Sequence, residues 1–204
     1  MRPPRMRVAL FGRSLAGFTL ANAMERAGHE VQMLSDPAEL SSFETLIIAV
    51  GDARLEATVE LLEPHVHRGL IVFHTCLSRG VQVLDPLETH GCVVAALAPF
   101  TLKRWAVTTL DELGETVVEL NIAEFYAETV ALSDAERAPF AARAYYAEML
   151  RRLHISAAVD ARFFPTAEEK PMVGEDMDTE EIIAAYRGAT DPGLRRSYVE
   201  VARR

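Results

Sequence analysis

Over the first half of the chain, short and nearly continuous runs of apolar, often β-branched residues alternate with longer amphipathic segments. The runs are Val8 to Phe11, Val31 to Leu34, Leu46 to Val50, Leu70 to Phe73 and Val93 to Leu97. They lack the strict polar/apolar alternation of a half-exposed strand, and unbroken runs of this length are the pattern of strands covered on both faces of a parallel sheet. Between them, Leu15 to Ala27 with Gly28 behind it, Arg54 to Leu62 ended by Pro64, and Gly80 to His90 followed by Gly91 read as crossover helices. Only the link SDPAELSSFE, between the second and third runs, is too short for a full helix. Strand and helix in strict alternation predict right-handed βαβ units and an α/β fold with a doubly wound parallel sheet.

After about Thr108 the strand-like runs stop and helical periodicity takes over. One helix is expected over Thr109 to Ala127 and a second from Asp134 to about Leu153, with Ser133 as N-cap and Glu136 completing a capping box. Pro139 sits awkwardly far inside that second helix and argues for a start nearer Ala138. The stretch from Ala158 to Asp178 is turn-rich and acidic, and further helices are expected from Thr179 to Tyr186 and from Gly193. The expected organisation is a nucleotide-binding unit over 1–107 and a smaller helical C-terminal region over 108–204, which supplies the substrate side, a dimer contact, or both.

Composition narrows the function classes. A chain of 204 residues, 50% of them hydrophobic, can bury one full core. The two cysteines, Cys76 and Cys92, are too few for a disulfide framework, adjoin apolar runs and fit a reducing cytoplasm. The opening MRPPRMRVALFG has too short an apolar run for a signal peptide, and no segment approaches membrane length. A formal net charge of -9 argues against a general nucleic-acid or anionic-membrane surface while leaving room for a local basic pocket. Lysine occurs only at Lys103 and Lys170, so few positions can supply a lysine catalyst, and no metal-ligand set is expected.

The most informative stretch is VALFGRSLAG, a variant of G-x-G-x-x-G set between a strand and a helix. Gly12 takes the position of the tight turn and Gly17 that of close helix–strand packing, whereas Ser14 stands where a glycine would let the backbone approach a pyrophosphate. Its side chain takes space but brings a hydroxyl, and the start of the helix at Leu15 still presents unpaired N–H groups to an anion. The competing reading is a tight turn without ligand. At the end of the second strand, with Val31 and Met33 as buried alternates, Ser35 takes the ribose-binding position and Asp36 follows it. The serine suits a 2′-phosphate and Asp36 repels one, with Arg13 as the nearest compensating cation, so NAD and NADP both stay open.

The other strand ends contribute Val50 and Gly51, where glycine permits close approach, and Asp52, expected to cap the next helix. After the fourth run stand His74, Thr75, Cys76 and Ser78. His74 either meets a substrate carbonyl or proton, or makes a structural hydrogen bond. Cys76 reads as a packed thiol, since no histidine–carboxylate pair accompanies it. Pro99, Thr101 and Lys103 follow the fifth run.

Together, VALFGRSLAGFTLANAMERAGHEV, LIIAVGDARLEATVELL and LIVFHTCLSRGVQVLDPLETHGCVVAALAPF resemble the NAD(P)-binding Rossmann-type domain of the 6-phosphogluconate and 3-hydroxyacid dehydrogenase superfamily, in particular a little-characterised oxidoreductase branch. In that branch a His-Thr-Ser-Gly stretch follows the fourth strand and the fifth ends in His-Pro-Leu; here these positions read His74, Thr75, Cys76, Leu77 and Ala98, Pro99, Phe100. The resemblance implies an NAD or NADP cofactor held by Gly12, Arg13, Ser14, Leu15, Gly17, Ser35, Val50, Gly51 and His74, with His74 and Thr75 at the catalytic centre. It further implies a small-molecule substrate and a homodimer. The chain departs from it at Ser14, Cys76, Leu77 and Ala98, and no lysine falls between 109 and 153, where hydroxyacid dehydrogenases of this superfamily place their acid or base; a proton carrier would have to be His74 or a residue such as Tyr145 or Tyr146. Two readings follow: an NAD(P)-dependent oxidoreductase, or a dinucleotide-fold module that senses a nucleotide or serves in assembly without turnover. A methyltransferase fits less well, because helices rather than further strands are expected after the fifth run.

Overall fold

The computed structural model describes residues 5–101, 103–152 and 179–203. Its strands are β1 (Arg7–Gly12), β2 (Glu30–Met33), β3 (Thr45–Ala49), β4 (Ile71–His74), β5 (Val93–Pro99), β6 (Arg104–Thr109) and β7 (Glu128–Ala131). They form one sheet in the order β2-β1-β3-β4-β5-β6-β7, parallel throughout except where β6 runs against β5. The helices are α1 (Leu15–Ala27), α2 (Leu55–Leu62), α3 (Asp85–Thr89), α4 (Glu112–Phe125), α5 (Asp134–Arg152), α6 (Thr179–Gly188) and α7 (Pro192–Ala202). This is a Rossmann-type α/β fold with helices at its C-terminal end.

Both sheet faces are covered, which explains the unbroken apolar runs. Ala9, Leu46, Ile48, Val72 and Val94 turn to one face, against Leu55, Val59 and Leu62 of α2 and Leu87 of α3. Val8, Leu10, Ile47, Phe73 and Leu97 turn to the other, against Leu20 and Met24 of α1 and Val118 and Ile122 of α4. A third apolar group joins Ala98, Phe100 and Ala106 to Phe140, Ala141 and Ala144, and so seats α5 beside the junction of β5 and β6.

Several boundaries differ from expectation. The sheet does not stop near Thr108, because β7 joins it along β6. β7 is a four-residue edge strand exposed at three positions, so its sequence ETVA carries no apolar run to announce it. α4 begins only at Glu112, where the Asp111 carboxylate accepts the Gly114 N–H at 2.7 Å. The helix expected over 54–62 is present as α2, preceded by a 3₁₀ turn at Asp52–Arg54, whereas the one expected over 80–90 is split into a 3₁₀ turn, Val81–Leu84, and the short α3. The short second link is likewise a 3₁₀ segment, Pro37–Ser42.

α5 starts at Asp134, not near Ala138. Glu136 Oε2 accepts from the N–H and hydroxyl of Ser133 at 2.8 and 2.7 Å, and the Asp134 carboxylate accepts from Val81 and Gln82 N–H at 2.8 and 3.1 Å. These contacts fix the first turn although Pro139 removes one later helix bond. The turn-rich stretch from Ala158 to Asp178 lies outside the described residues.

Candidate functional site

In this sheet the strand order reverses between β1 and β3, and ligands of open α/β sheets lie beyond the carboxyl ends of the strands at such a reversal. Gly12 ends β1 with φ at 102°, a left-handed conformation, and a Cβ there would stand 2.2 Å from the Ala49 carbonyl oxygen. The Ser14 N–H donates to that same carbonyl at 2.9 Å, tying the turn to the end of β3. A Cβ on Gly17 would lie 2.1 Å from Ala49 Cβ, so α1 approaches β3 as closely as a glycine allows.

Ser14 is the N-cap of α1, and its Oγ accepts the Gly17 N–H at 3.1 Å. The same Oγ lies 3.3 Å from Thr75 Oγ1, which in turn is 3.5 Å from the Ile48 carbonyl. A carbonyl only accepts, so with the Thr75 proton directed to Ile48 the Ser14 hydroxyl donates to Thr75. Ser14 thus joins α1 to the end of β4, a bond that glycine cannot make. The N–H groups of Leu15 and Ala16, in the first turn of α1, have no partner within the helix and point toward the reversal.

A Cβ placed on Gly51 would make only ordinary contact, with Glu181 Oε1 at 3.8 Å. Val50 is buried, and its carbonyl accepts from the Cys76 thiol at 3.2 Å. Asp52 does not cap the following helix. Gly51 occupies that position without a side-chain bond, and Asp52 instead accepts from the Ser78 hydroxyl. Arg13 is exposed.

The expected burial of β2 is corrected. Val31 is only half-buried and Met33 is 46% exposed, because β2 is the edge strand beside β1 alone; the chain turns inward at Leu34. Ser35 and Asp36 are exposed beyond it, and Asp36 accepts the Ala38 N–H at 2.9 Å to start the 3₁₀ segment.

His74 has no exposed surface. Its Nε2 lies 3.0 Å from the Gly80 carbonyl, so Nε2 carries the hydrogen and Nδ1 is bare, without a partner among the described residues. Burial, with the Arg137 charge adding to it, lowers its pKa to about 3. The ring is therefore neutral in this conformation and has no surface open to a ligand. Thr75 is also buried. Burial and the nearby Asp52 carboxylate hold the Cys76 thiol well above its ordinary pKa, so it stays protonated.

Sequence reasoning missed Arg137. It is fully buried, donating to Thr108 Oγ1 at 3.1 Å and to the Cys76 carbonyl at 2.9 Å, and burial lowers its pKa to about 10. It also missed Glu181, which accepts from the Tyr145 hydroxyl at 3.0 Å and brings α6 beside Gly51. Burial and Glu181 push the Tyr145 phenol above its ordinary pKa. Among the described residues no group of histidines, cysteines and carboxylates could hold a metal, and no helix is long and apolar enough to cross a membrane.

A family described as a Rossmann-like domain matches residues 36–99. No curated protein matches the chain. Among solved structures, Mycobacterium tuberculosis 3-hydroxyisobutyrate dehydrogenase with L-serine is similar at a TM-score of 0.64 and 11% identity, over 98% of this chain and 94% of that one. Prephenate dehydrogenase from A. aeolicus, in complex with hydroxyphenyl propionate and NAD+, aligns at 0.58 and 12% identity over 100% and 85%. Plasmodium falciparum pyrroline carboxylate reductase with NADP bound aligns at 0.56 and 11% identity over 100% and 80%. At such low identity these likenesses establish a shared fold.

Proposed function

We propose that the protein is an NAD(P)-dependent oxidoreductase acting on a small metabolite. The observation that carries the reading is the amino end of α1 at the β1/β3 reversal, with Gly12 and Gly17 holding helix against strand and the Leu15 and Ala16 N–H groups presented to an anion. In this reading Gly12, Arg13, Ser14, Leu15 and Gly17 hold the pyrophosphate. Ser35 lies at the ribose, and Val50 and Gly51 form the wall toward the reacting ring. NAD+ in the prephenate dehydrogenase and NADP in the pyrroline carboxylate reductase, both of this fold, support a nicotinamide dinucleotide of either kind. When bound, the cofactor would supply the hydride chemistry. His74 and Thr75 act by position: the neutral imidazole holds the Gly80 turn and Thr75 holds Ser14. A homodimer closed by the C-terminal helices belongs to the same reading.

The burial of His74 and the raised pKa values of Cys76 and Tyr145 favour a second reading, a dinucleotide-binding module without turnover. Calorimetric titration with NADH and with NADPH tests the shared step, and saturable binding of one of them is expected. Absence of binding by both at millimolar concentration would overturn both readings. Oxidation or reduction across a panel of hydroxyacids, aldehydes and imines then separates them: turnover supports the oxidoreductase, and tight binding with none supports the module.

A further inference from the structure

The chain carries a formal net charge of -9, yet residues 195–204 hold four arginines and a single glutamate. Three of those arginines, all on α7, line one groove of about 320 Å³ against α6, formed by Tyr186, Arg195, Arg196, Val199, Glu200 and Arg203. Arg195, Val199 and Arg203 recur every fourth residue and so share one side of the helix. Helix stability does not account for all of them. Arg195 and Arg196 stand near the amino end of α7, where a cation gains nothing from the helix dipole, and only Arg203, at the carboxyl end, does.

The groove is built around a fixed guanidinium. Arg195 Nε donates to the Ala189 carbonyl at 2.6 Å, and its guanidinium carbon lies 5.6 Å from the centre of the Tyr186 ring. That ring packs in turn on Tyr198, with centroids 5.8 Å apart, and the buried Tyr198 donates its hydroxyl to the Ile182 carbonyl at 3.2 Å. Arg195 is thus held in place by Nε and by its face, while its two Nη groups keep their donors for another partner. The side chains of Arg196, Glu200 and Arg203 are exposed and form no ion pair among the described residues. Three arginines against one glutamate leave the groove with two net positive charges. One arginine fork satisfies a planar carboxylate, whereas a phosphate dianion presents oxygens in several directions and takes donors from several arginines at once.

We propose that this groove binds the phosphate group of a small molecule, with Arg195 as the fixed anchor and Arg196 and Arg203 supplying further donors. The site is independent of the dinucleotide reading, since no residue is shared between them.

The test is calorimetric titration of the full chain, in a low-salt buffer, with inorganic phosphate and with acetate as the planar anion. Phosphate is expected to bind saturably at about millimolar concentration, and about tenfold or more tightly than acetate. Arg196→Gln and Arg203→Gln, both at exposed positions, should each weaken phosphate about tenfold, the factor that one charge-assisted hydrogen bond supplies. Arg195→Lys keeps the charge but loses the fork, and should weaken it by a similar factor. Arg26→Gln, an equal loss of charge in the last turn of α1, should leave binding unchanged, and saturating NADH should not displace phosphate. Phosphate bound no more tightly than acetate, unchanged binding in Arg195→Lys, or equal weakening by Arg26→Gln and Arg196→Gln would each overturn the proposal. So would phosphate that NADH displaces and that Arg196→Gln and Arg203→Gln retain, because it would then lie in the crevice at the β1/β3 reversal, leaving the dinucleotide reading in place. Sedimentation showing a self-associated chain that Arg196→Gln dissociates would overturn it as well, since the carboxylates of a second copy would then be what these arginines meet.

Discussion

The turn at Ser14 makes a prediction in which stability and affinity move in opposite directions. Its hydroxyl accepts the Gly17 N–H at 3.1 Å and lies 3.3 Å from Thr75 Oγ1. Loss of a serine N-cap to alanine costs about 1 kcal/mol, and the longer bond to Thr75 adds at most about another. Ser14→Ala should therefore lower Tm by roughly 3–6 °C at this chain length. Ser14→Gly loses less of the cap, a few tenths of a kcal/mol, because glycine is tolerated at that position. It also releases the Gly17 N–H and removes the side chain from the space a pyrophosphate needs. A hydrogen bond to a charged group is worth about 1.5–3 kcal/mol, so Ser14→Gly should tighten binding of the preferred dinucleotide about tenfold or more. Ser14→Ala should gain less, since its methyl group remains in the way. Differential scanning calorimetry and dinucleotide titration on the same samples read both effects. Affinity unchanged within a factor of about two in Ser14→Gly would refute the idea that the cap competes with phosphate, and an unchanged Tm in Ser14→Ala would refute the cap itself.

Other contacts yield sharper tests of packing and charge. Gly17→Ala places a methyl 2.1 Å from Ala49 Cβ and should cost about 2–3 kcal/mol in urea unfolding, with Ala49→Gly recovering much of the loss. Asp134→Ala removes the bonds to Val81 and Gln82 and should cost about 2 kcal/mol; because a Cβ on Gly80 would meet that same carboxylate at 2.2–2.5 Å, Gly80→Ala should be costly alone but nearly neutral in the Asp134→Ala background, a coupling visible in a double-mutant cycle. His74 is held neutral down to about pH 3, whereas the unfolded chain takes up a proton there near 6.5, so its contribution to stability is complete above 6.5 and falls away as pH drops toward 3, by up to about 1.4 kcal/mol per pH unit. Urea unfolding between pH 6.5 and 5 should show a shallower loss in His74→Gln than in the parent chain, and equal slopes would contradict the buried neutral ring.

What could be read from the sequence was whatever local geometry and local periodicity control. The first βαβ unit was legible because Gly12 and Gly17 are required by contacts with Ala49, and because runs such as Leu46 to Val50 must be apolar when both faces of a strand are covered. β7 was not legible: an edge strand of four residues needs only backbone pairing with β6, and ETVA has no apolar signature. Arg137 was hidden for a different reason. Within SDAERAPF it looks like one more solvated charge, and only the packing of α5 brings it to the Cys76 carbonyl and Thr108. His74 belongs to the same class, since an apolar run followed by histidine says nothing of whether Gly80 will fold back to meet it.

That packing also gives Cys76, Leu77 and Ala98, at the strand ends, a common physical basis. Leu77 and Ala98 both belong to the apolar group that α5 covers, beside Phe100, Phe140 and Ala144. Leu77 fills space that a glycine would leave open, and Ala98 keeps a polar ring out of a region enclosed by these side chains. Cys76 closes the adjoining layer, its thiol on the Val50 carbonyl and its own carbonyl held by Arg137. These three side chains thus share one structural setting, the seating of α5 over the ends of β4 and β5 through Asp134 and Arg137. A helix seated there takes up room beside β4 and β5 but leaves the reversal between β1 and β3 untouched, where only Glu181 approaches Gly51 and the first turn of α1 still presents its N–H groups. In the proposed oxidoreductase reading, a bound substrate would meet Gly51, Asp52 and Glu181 rather than His74, which has no exposed surface.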